Sequence, residues 1–217
     1  FGYGKSATSA LSTNFKPTGL YASMPNYPAR GDIASAKALL DSAGIKPDAN
    51  GVRIRAILDL IPYGEDWRRA GEYLKQVLGD IGIKLELRYE DVPTWLKRIY
   101  HNYDFVMNVN YFYQLPDPVL GVHRHYGTDQ IRKGTHFVNS SRYSNSELDE
   151  LLASGATEAN AQKRTQIYKK IQEILARDMP VVNLFELQFL TVYNTKLKGA
   201  YNSALGAYAS FSEAYLD

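Results

Sequence analysis

The chain of 217 residues contains no cysteine. Disulfide staples and cysteine-based catalysis are therefore excluded. No stretch reaches the roughly 18 consecutive apolar residues that a membrane-spanning helix requires. A secretory leader is also absent, and the chain starts at Phe1 without a Met, which reads as a processed or trimmed product. An excess of one charge is missing too: Lys plus Arg number 25 against 23 acids, a formal net charge of +2. That balance offers neither the basic face that nucleic acid selects nor a polybasic patch for an anionic membrane. No phosphate-cradling glycine loop and no nucleophile elbow occurs.

What remains is the composition of an ordinary globular protein, 45% hydrophobic and 22% charged, long enough to bury a core. Tyrosine stands out, with 17 Tyr against 8 Phe. A flat apolar body with a polar tip suits a wet binding surface as well as a core.

Residues 1–31 are rich in Gly, Pro, Ser and Thr and read as an irregular connecting segment. Order begins at Asp32, a helix cap, followed by Ile33, Ala36, Leu39, Leu40 and Ala43 at helical spacing and a stop at Gly44. Val52, Ile54, Ala56, Leu58 and Leu60 alternate with Arg53, Arg55 and Asp59, the pattern of a strand with one buried face. Trp67, Ala70, Leu74, Val77, Leu78 and Ile81 mark an amphipathic helix, and Ile83 to Tyr89 a second strand. Two strands joined through such a helix make a βαβ unit with parallel pairing. A short helix around Val92–Ile99 and a third strand, Phe105 to Tyr111, follow, so the first half reads as α/β.

Residues 112–144 lack periodicity, and a stretch that long carries short helices or function. Ser146 and Asp149 suggest a capping box, and a longer helix is expected over about 159–177, stopped by Pro180. One or two strands are expected in 181–193. The lobe proper is placed at 32–199, with 200–217 as a tail.

Several of these segments resemble the carboxy-terminal lobe of the oligopeptide- and dipeptide-binding family of ABC importer receptors. The residues are Leu39-Leu-Asp-Ser-Ala-Gly44, the run LKQVLGDIGIKLEL from Leu74 to Leu87, Tyr103-Asp104-Phe105 and Asp117-Pro118. To these are added Tyr143-x-Asn145-x-x-x-Asp149-x-Leu151-Leu152, Arg164-x-x-x-Tyr168-x-x-x-Gln172 and Pro180. The resemblance implies a type II periplasmic-binding-protein-like lobe, an α/β fold with a mixed, mainly parallel sheet flanked by helices. It further implies a receptor about twice this length, whose amino-terminal lobe and signal peptide precede this region. Such a receptor works in the periplasm and hands a peptide, opine or sugar conjugate to an inner-membrane ABC permease. No enzyme activity, cofactor, metal or nucleic acid is implied.

Site expectations centre on Tyr111 to Pro118 (YFYQLPDP), because ligands of open α/β sheets sit beyond the carboxyl ends of parallel strands. Tyr111 falls where the family places a tryptophan lining the cleft. Gln114 stands where peptide binders carry an aspartate that pairs with the ligand's amino group. Tyr113 and Asp117 complete this segment, Asp117 having also the plain role of capping a turn opened by Pro118. Asn183 and Glu186, after Pro180, are the remaining ligand candidates. Asn183, read as a buried strand residue, requires a hydrogen-bond partner. The alternative reading is a hydrolase or transferase built on His123, His125 and Asp117. As metal ligands, His123 and His125 supply only two imidazoles where zinc takes three or four ligands. His101 and His136 read as isolated surface residues.

Overall fold

The structure, a computed structural model, describes residues 4–24, 31–187, 191–200 and 210–217. A short strand, β1 (Gly4–Ser6), opens it. Helix α1 (Ile33–Ser42) starts at its expected cap, Asp32, whose carboxylate accepts from Ser35 N at 2.9 Å. It is left through Gly44, whose φ of 78° suits a residue without Cβ. None of its residues is buried, and Leu39 is 70% exposed. Periodicity reveals that a helix has an apolar face but not what covers it.

β2 (Ile54–Leu60), α2 (Glu65–Gly79) and β3 (Ile83–Arg88) form the expected βαβ unit, with the strands parallel and Ile54 opposite Ile83. Helix α3 (Val92–Leu96), capped by Asp91, continues into a π-helical turn, Lys97–Asn102. It leads to β4 (Met107–Val109), which pairs in parallel with the other edge of β2. The order is β3-β2-β4. The first crossover moves one way along the sheet and the second returns past β2, so right-handed connections set α2 and α3 on opposite faces.

Packing agrees. Leu58, Leu60, Leu85 and Val109 meet Trp67, Leu74 and Leu78 of α2, while Trp95, Ile99 and Tyr100 pack with Ile61 and Val138. With both faces covered, Asp59 cannot face water as alternation suggested. It is 0% exposed. Arg88 Nε lies 2.7 Å and Arg98 Nε 3.8 Å from its carboxylate. Burial raises the Asp59 pKa, and the hydrogen bond and charge of Arg88 pull against it.

Beyond β4 the aperiodic stretch holds two 3₁₀ turns, Pro118–Leu120 and Thr128–Gln130, around the short helix α4 (Val122–Tyr126). Helix α5 (Ser146–Thr157) is capped one residue earlier than expected, by Asn145, which accepts from Leu148 N at 3.1 Å. The expected partner, Asp149, instead accepts from Thr128 N at 2.9 Å. Helix α6 (Ala161–Asp178) is capped by Asn160. Antiparallel pairing among the described residues is confined to two ribbons. One joins β1 to β5 (Phe185–Leu187), the other β6 (Leu197–Lys198) to β7 (Tyr215–Leu216). Of the strands expected in 181–193, residues 188–190 lie outside the described residues, as does 201–209 of the tail.

A second core joins α4, α5 and α6 to the opening segment. Ala10, Leu11, Phe15 and Leu20 are buried against Val122, Leu148, Leu152, Tyr168 and Ile171. Its polar centre is Gln172, 1% exposed. The Gln172 amide oxygen accepts from Ser9 Oγ at 2.7 Å and Ala22 N at 2.9 Å. Its nitrogen donates to the Leu20 and Tyr168 carbonyls at 2.9 and 2.8 Å. A stretch with little regular structure is thus fastened to α6 by a single side chain whose every hydrogen-bonding position is filled.

Candidate functional site

The chain leaves β2 at Leu60 and β4 at Val109, side by side at the carboxyl edge of the sheet. Residues just past those ends gather five rings. Tyr111 stacks on Trp67 at 5.3 Å between centroids and meets the edges of Tyr63 at 5.8 Å and Tyr113 at 5.5 Å. Phe185 of β5 lies over the other side of Trp67 at 6.5 Å. Tyr113 is 51%, Tyr63 42% and Phe185 41% exposed, so the cluster is an aromatic shelf open to solvent on one side. Offset and edge-on contacts of this kind hold rings rigid while leaving faces accessible. Tyr63, Trp67 and Phe185 escaped sequence reasoning: Trp67 reads as part of an amphipathic helix, Phe185 falls within the strands expected over 181–193, and Tyr63 is assigned to no element. Tyr63 and Trp67 carried one signal, a place just past the end of the parallel strand β2, whereas Phe185, in the antiparallel β1–β5 ribbon, carried none.

A second recess, about 420 Å³, opens between the ends of β2 and β3, where the two crossovers diverge. It is lined by Ile61, Pro62, Arg68, Tyr89, Glu90 and Asp91 among others. Arg68 lies over the Tyr89 ring at 4.7 Å. Glu90 is gripped by Arg98 at 2.6 Å, which lowers its pKa, and Asp91 caps α3 by accepting from Thr94 N.

The other expected site residues are held by the chain itself. Gln114 Nε2 donates to the Ala10 carbonyl at 2.6 Å and its Oε1 accepts from Ser12 N at 2.7 Å. Glu186 accepts from Thr13 N at 2.8 Å and Thr13 Oγ1 at 2.7 Å. Two candidates from distant parts of the sequence thus converge on one segment, Ala10–Thr13. Asp117 caps its turn through Val119 N at 2.9 Å and accepts from Arg164 Nη2 with both oxygens at 2.8 Å. Arg164, one of the residues that carry the family resemblance, also donates to the Gly155 carbonyl at 2.9 Å. Asn183 is neither buried nor in a strand; it is exposed, two residues before β5, and its side chain bonds the Tyr126 phenol. Burial pushes that phenol up to about 12, and the Asn183 bond works in the opposite direction.

The three side chains of the catalytic alternative have separate partners. His123 Nε2 sits 3.0 Å from Asp129 Oδ1, Asp117 holds Arg164, and His125 is buried with its ring 3.8 Å from that of Phe112. Burial, then the charge of Arg124, depresses His125 to about 3, which leaves it neutral and unpoised for proton transfer near pH 7. No hydrogen-bonded relay joins them, so the hydrolase or transferase reading is not supported. His101 and His136 are not isolated: their Nε2 atoms are 3.1 Å apart across the turn that follows α3. Among the described residues no three metal-ligating side chains gather.

Residues 1–132 match the family model of bacterial extracellular solute-binding proteins, family 5. The peptide transport periplasmic protein SapA of Haemophilus influenzae is 24% identical over 151 residues, which cover 68% of this chain and 26% of that protein. HbpA2 of Haemophilus parasuis superimposes with a TM-score of 0.74 at 21% identity, covering all of this chain and 41% of that one. The oligopeptide-binding protein AppA of Bacillus subtilis, solved with a nonapeptide, gives 0.74 at 19% identity, covering all of this chain and 43% of that one. The chain thus spans between about a quarter and under half of these relatives. With more than half its length matched by the family model, this chain belongs to the bacterial extracellular solute-binding proteins of family 5.

Proposed function

We propose that this chain is one lobe of the substrate-binding component of an ABC importer, capturing a peptide or similar polar organic solute for a membrane permease. The observation that carries this reading is the aromatic shelf of Tyr63, Trp67, Tyr111, Tyr113 and Phe185 at the carboxyl edge of a parallel sheet, in a chain of this family. Residues 32–199 form the lobe. Residues 1–31 and 200–217 connect it to an amino-terminal lobe, and Ala10, Leu11, Phe15 and Leu20 of the first also pack into the lobe's helical core. Tyr111 and Tyr113 contact the solute, while Gln114, Asp117 and Glu186 shape the surface around it and Asn183 lies at its rim.

The whole receptor works in the periplasm, its signal peptide upstream of this region, and carries out no covalent chemistry. Hinge closure of two lobes over the solute desolvates it and creates the surface that a permease recognises. Calorimetry of the full-length protein against peptides, amino-acid conjugates and sugar derivatives tests the reading. Saturable binding that weakens in Tyr113→Ala without a change in melting temperature is the expected result. Absence of binding by every class would sink it.

A further inference from the structure

The five-ring shelf is short of charge. The segments that carry four of its rings, 61–64, 110–116 and 184–187, contain no Lys or Arg, and Glu186 is their one acid; Trp67 alone is flanked by charge, Glu65, Asp66, Arg68 and Arg69 of α2. Along a strand, neighbouring side chains point to opposite faces. Phe185 faces Trp67, so Glu186 points away from the shelf, toward Ser12 and Thr13, whose three donors it accepts. Lys5, paired with Glu186 in the β1–β5 ribbon, shares that far side. Asp117, beside the shelf in sequence, is chelated by Arg164, and Glu65 pairs with Arg69 at 3.6 Å. Asp66, in the exposed first turn of α2, is the one nearby carboxylate without a hydrogen bond or ion pair among the described residues.

A peptide with a free amino terminus brings an ammonium that must keep a charged or multiply hydrogen-bonded partner when a cleft closes over it. The shelf itself supplies none. It offers ring faces backed by Tyr hydroxyls, and rings of this kind favour a ligand with a flat apolar C–H face and a periphery of neutral hydroxyls.

We propose that the shelf of Tyr63, Trp67, Tyr111, Tyr113 and Phe185 selects a neutral, hydroxyl-rich ring ligand, a short oligosaccharide or glycoside, over a peptide with a free amino terminus. This rests on the solute-binding reading above. Pyranose rings lie against the exposed faces of Tyr63 and Tyr113, and the fixed stack of Trp67, Tyr111 and Phe185 keeps those faces in place.

The experiment titrates the full-length protein calorimetrically with α- and β-linked neutral trisaccharides, with trialanine, and with N-acetyl-trialanine. At least one trisaccharide is expected to bind, and each of Tyr63→Ala and Tyr113→Ala to weaken it by about fivefold or more, the usual effect of truncating an aromatic anchor. Free trialanine is expected not to bind. If free trialanine binds and acetylation or Asp66→Asn abolishes it, an ammonium is being recognised and the saccharide assignment falls, while the solute-binding reading stands. Equal binding of both peptides with no saccharide bound has the same consequence. No binding by any probe overturns the saccharide assignment and counts against the broader reading as well.

Discussion

Replacing Gln172 measures how far the opening segment depends on α6. The side chain makes four hydrogen bonds in a site closed to water, two accepted from Ser9 Oγ and Ala22 N, two donated to the Leu20 and Tyr168 carbonyls. Gln172→Met keeps most of the volume and removes all four. Tyr168 lies within α6 and keeps its helical bonding, so three groups lose their partner: the Ser9 hydroxyl, the Ala22 amide and the Leu20 carbonyl. At about 1 kcal/mol or somewhat more for each buried group left unmatched, the variant loses about 3–4 kcal/mol. Gln172→Ala loses more, because a cavity is added. Urea denaturation followed by tryptophan fluorescence gives the difference, and amide exchange at Ala22 locates it, since protection there collapses in both variants. A loss under about 1 kcal/mol for the Met variant, with Ala22 still protected, would refute the view that this one side chain ties residues 9–22 to the helical core.

Other perturbations test neighbouring parts of the structure. His125, depressed from 6.5 to about 3 by burial and Arg124, stays neutral in the fold but takes a proton when unfolded. Its stabilisation is complete above about 6.5 and is lost as pH falls toward 3. Wild type should therefore lose up to about 1.4 kcal/mol per pH unit more than His125→Phe in that window, and parallel pH profiles of urea stability would contradict this. Arg164→Met leaves the Asp117 cap in place but removes its cation and the Gly155 contact. A loss of about 1–2 kcal/mol and faster exchange at Val119–Gly121 are expected, and unchanged exchange there would count against the role given to Arg164. Gly71→Ala would set a Cβ 2.5 Å from Leu60 Cδ1, in a site where Leu60 is buried and has little room to move. Overpacking of about 1–3 kcal/mol outweighs the helix-propensity gain of about 1 kcal/mol, and thermal denaturation should show Leu60→Ala relieving the strain.

Elements whose cause is local were legible from the chain alone. Asp32 and Asp117 cap the turns they precede, and the apolar periods of 2 and 3.6 residues mark β2, α2, β3 and α6. The place of Tyr111 and Tyr113 just past a parallel strand was legible too, since the end of such a strand is a property of topology. Tyr111 and Tyr113 do lie there, within the shelf. These readings needed only residues within a turn or a strand of one another.

Tertiary structure alone decided the rest. Alternation left Asp59 facing water, yet the second crossover brings Arg98 over that face and closes it. Gln114 looked like a ligand contact because it stands where the family carries an aspartate, and Glu186 because it follows Pro180, where the resemblance implies cleft residues. That both turn to residues 10–13, across 104 and 173 positions of chain, depends on how the two cores dock. A side chain's local pattern records the face it occupies. Which segment covers that face is set by packing between residues remote in sequence, and there the sequence carries no period to read.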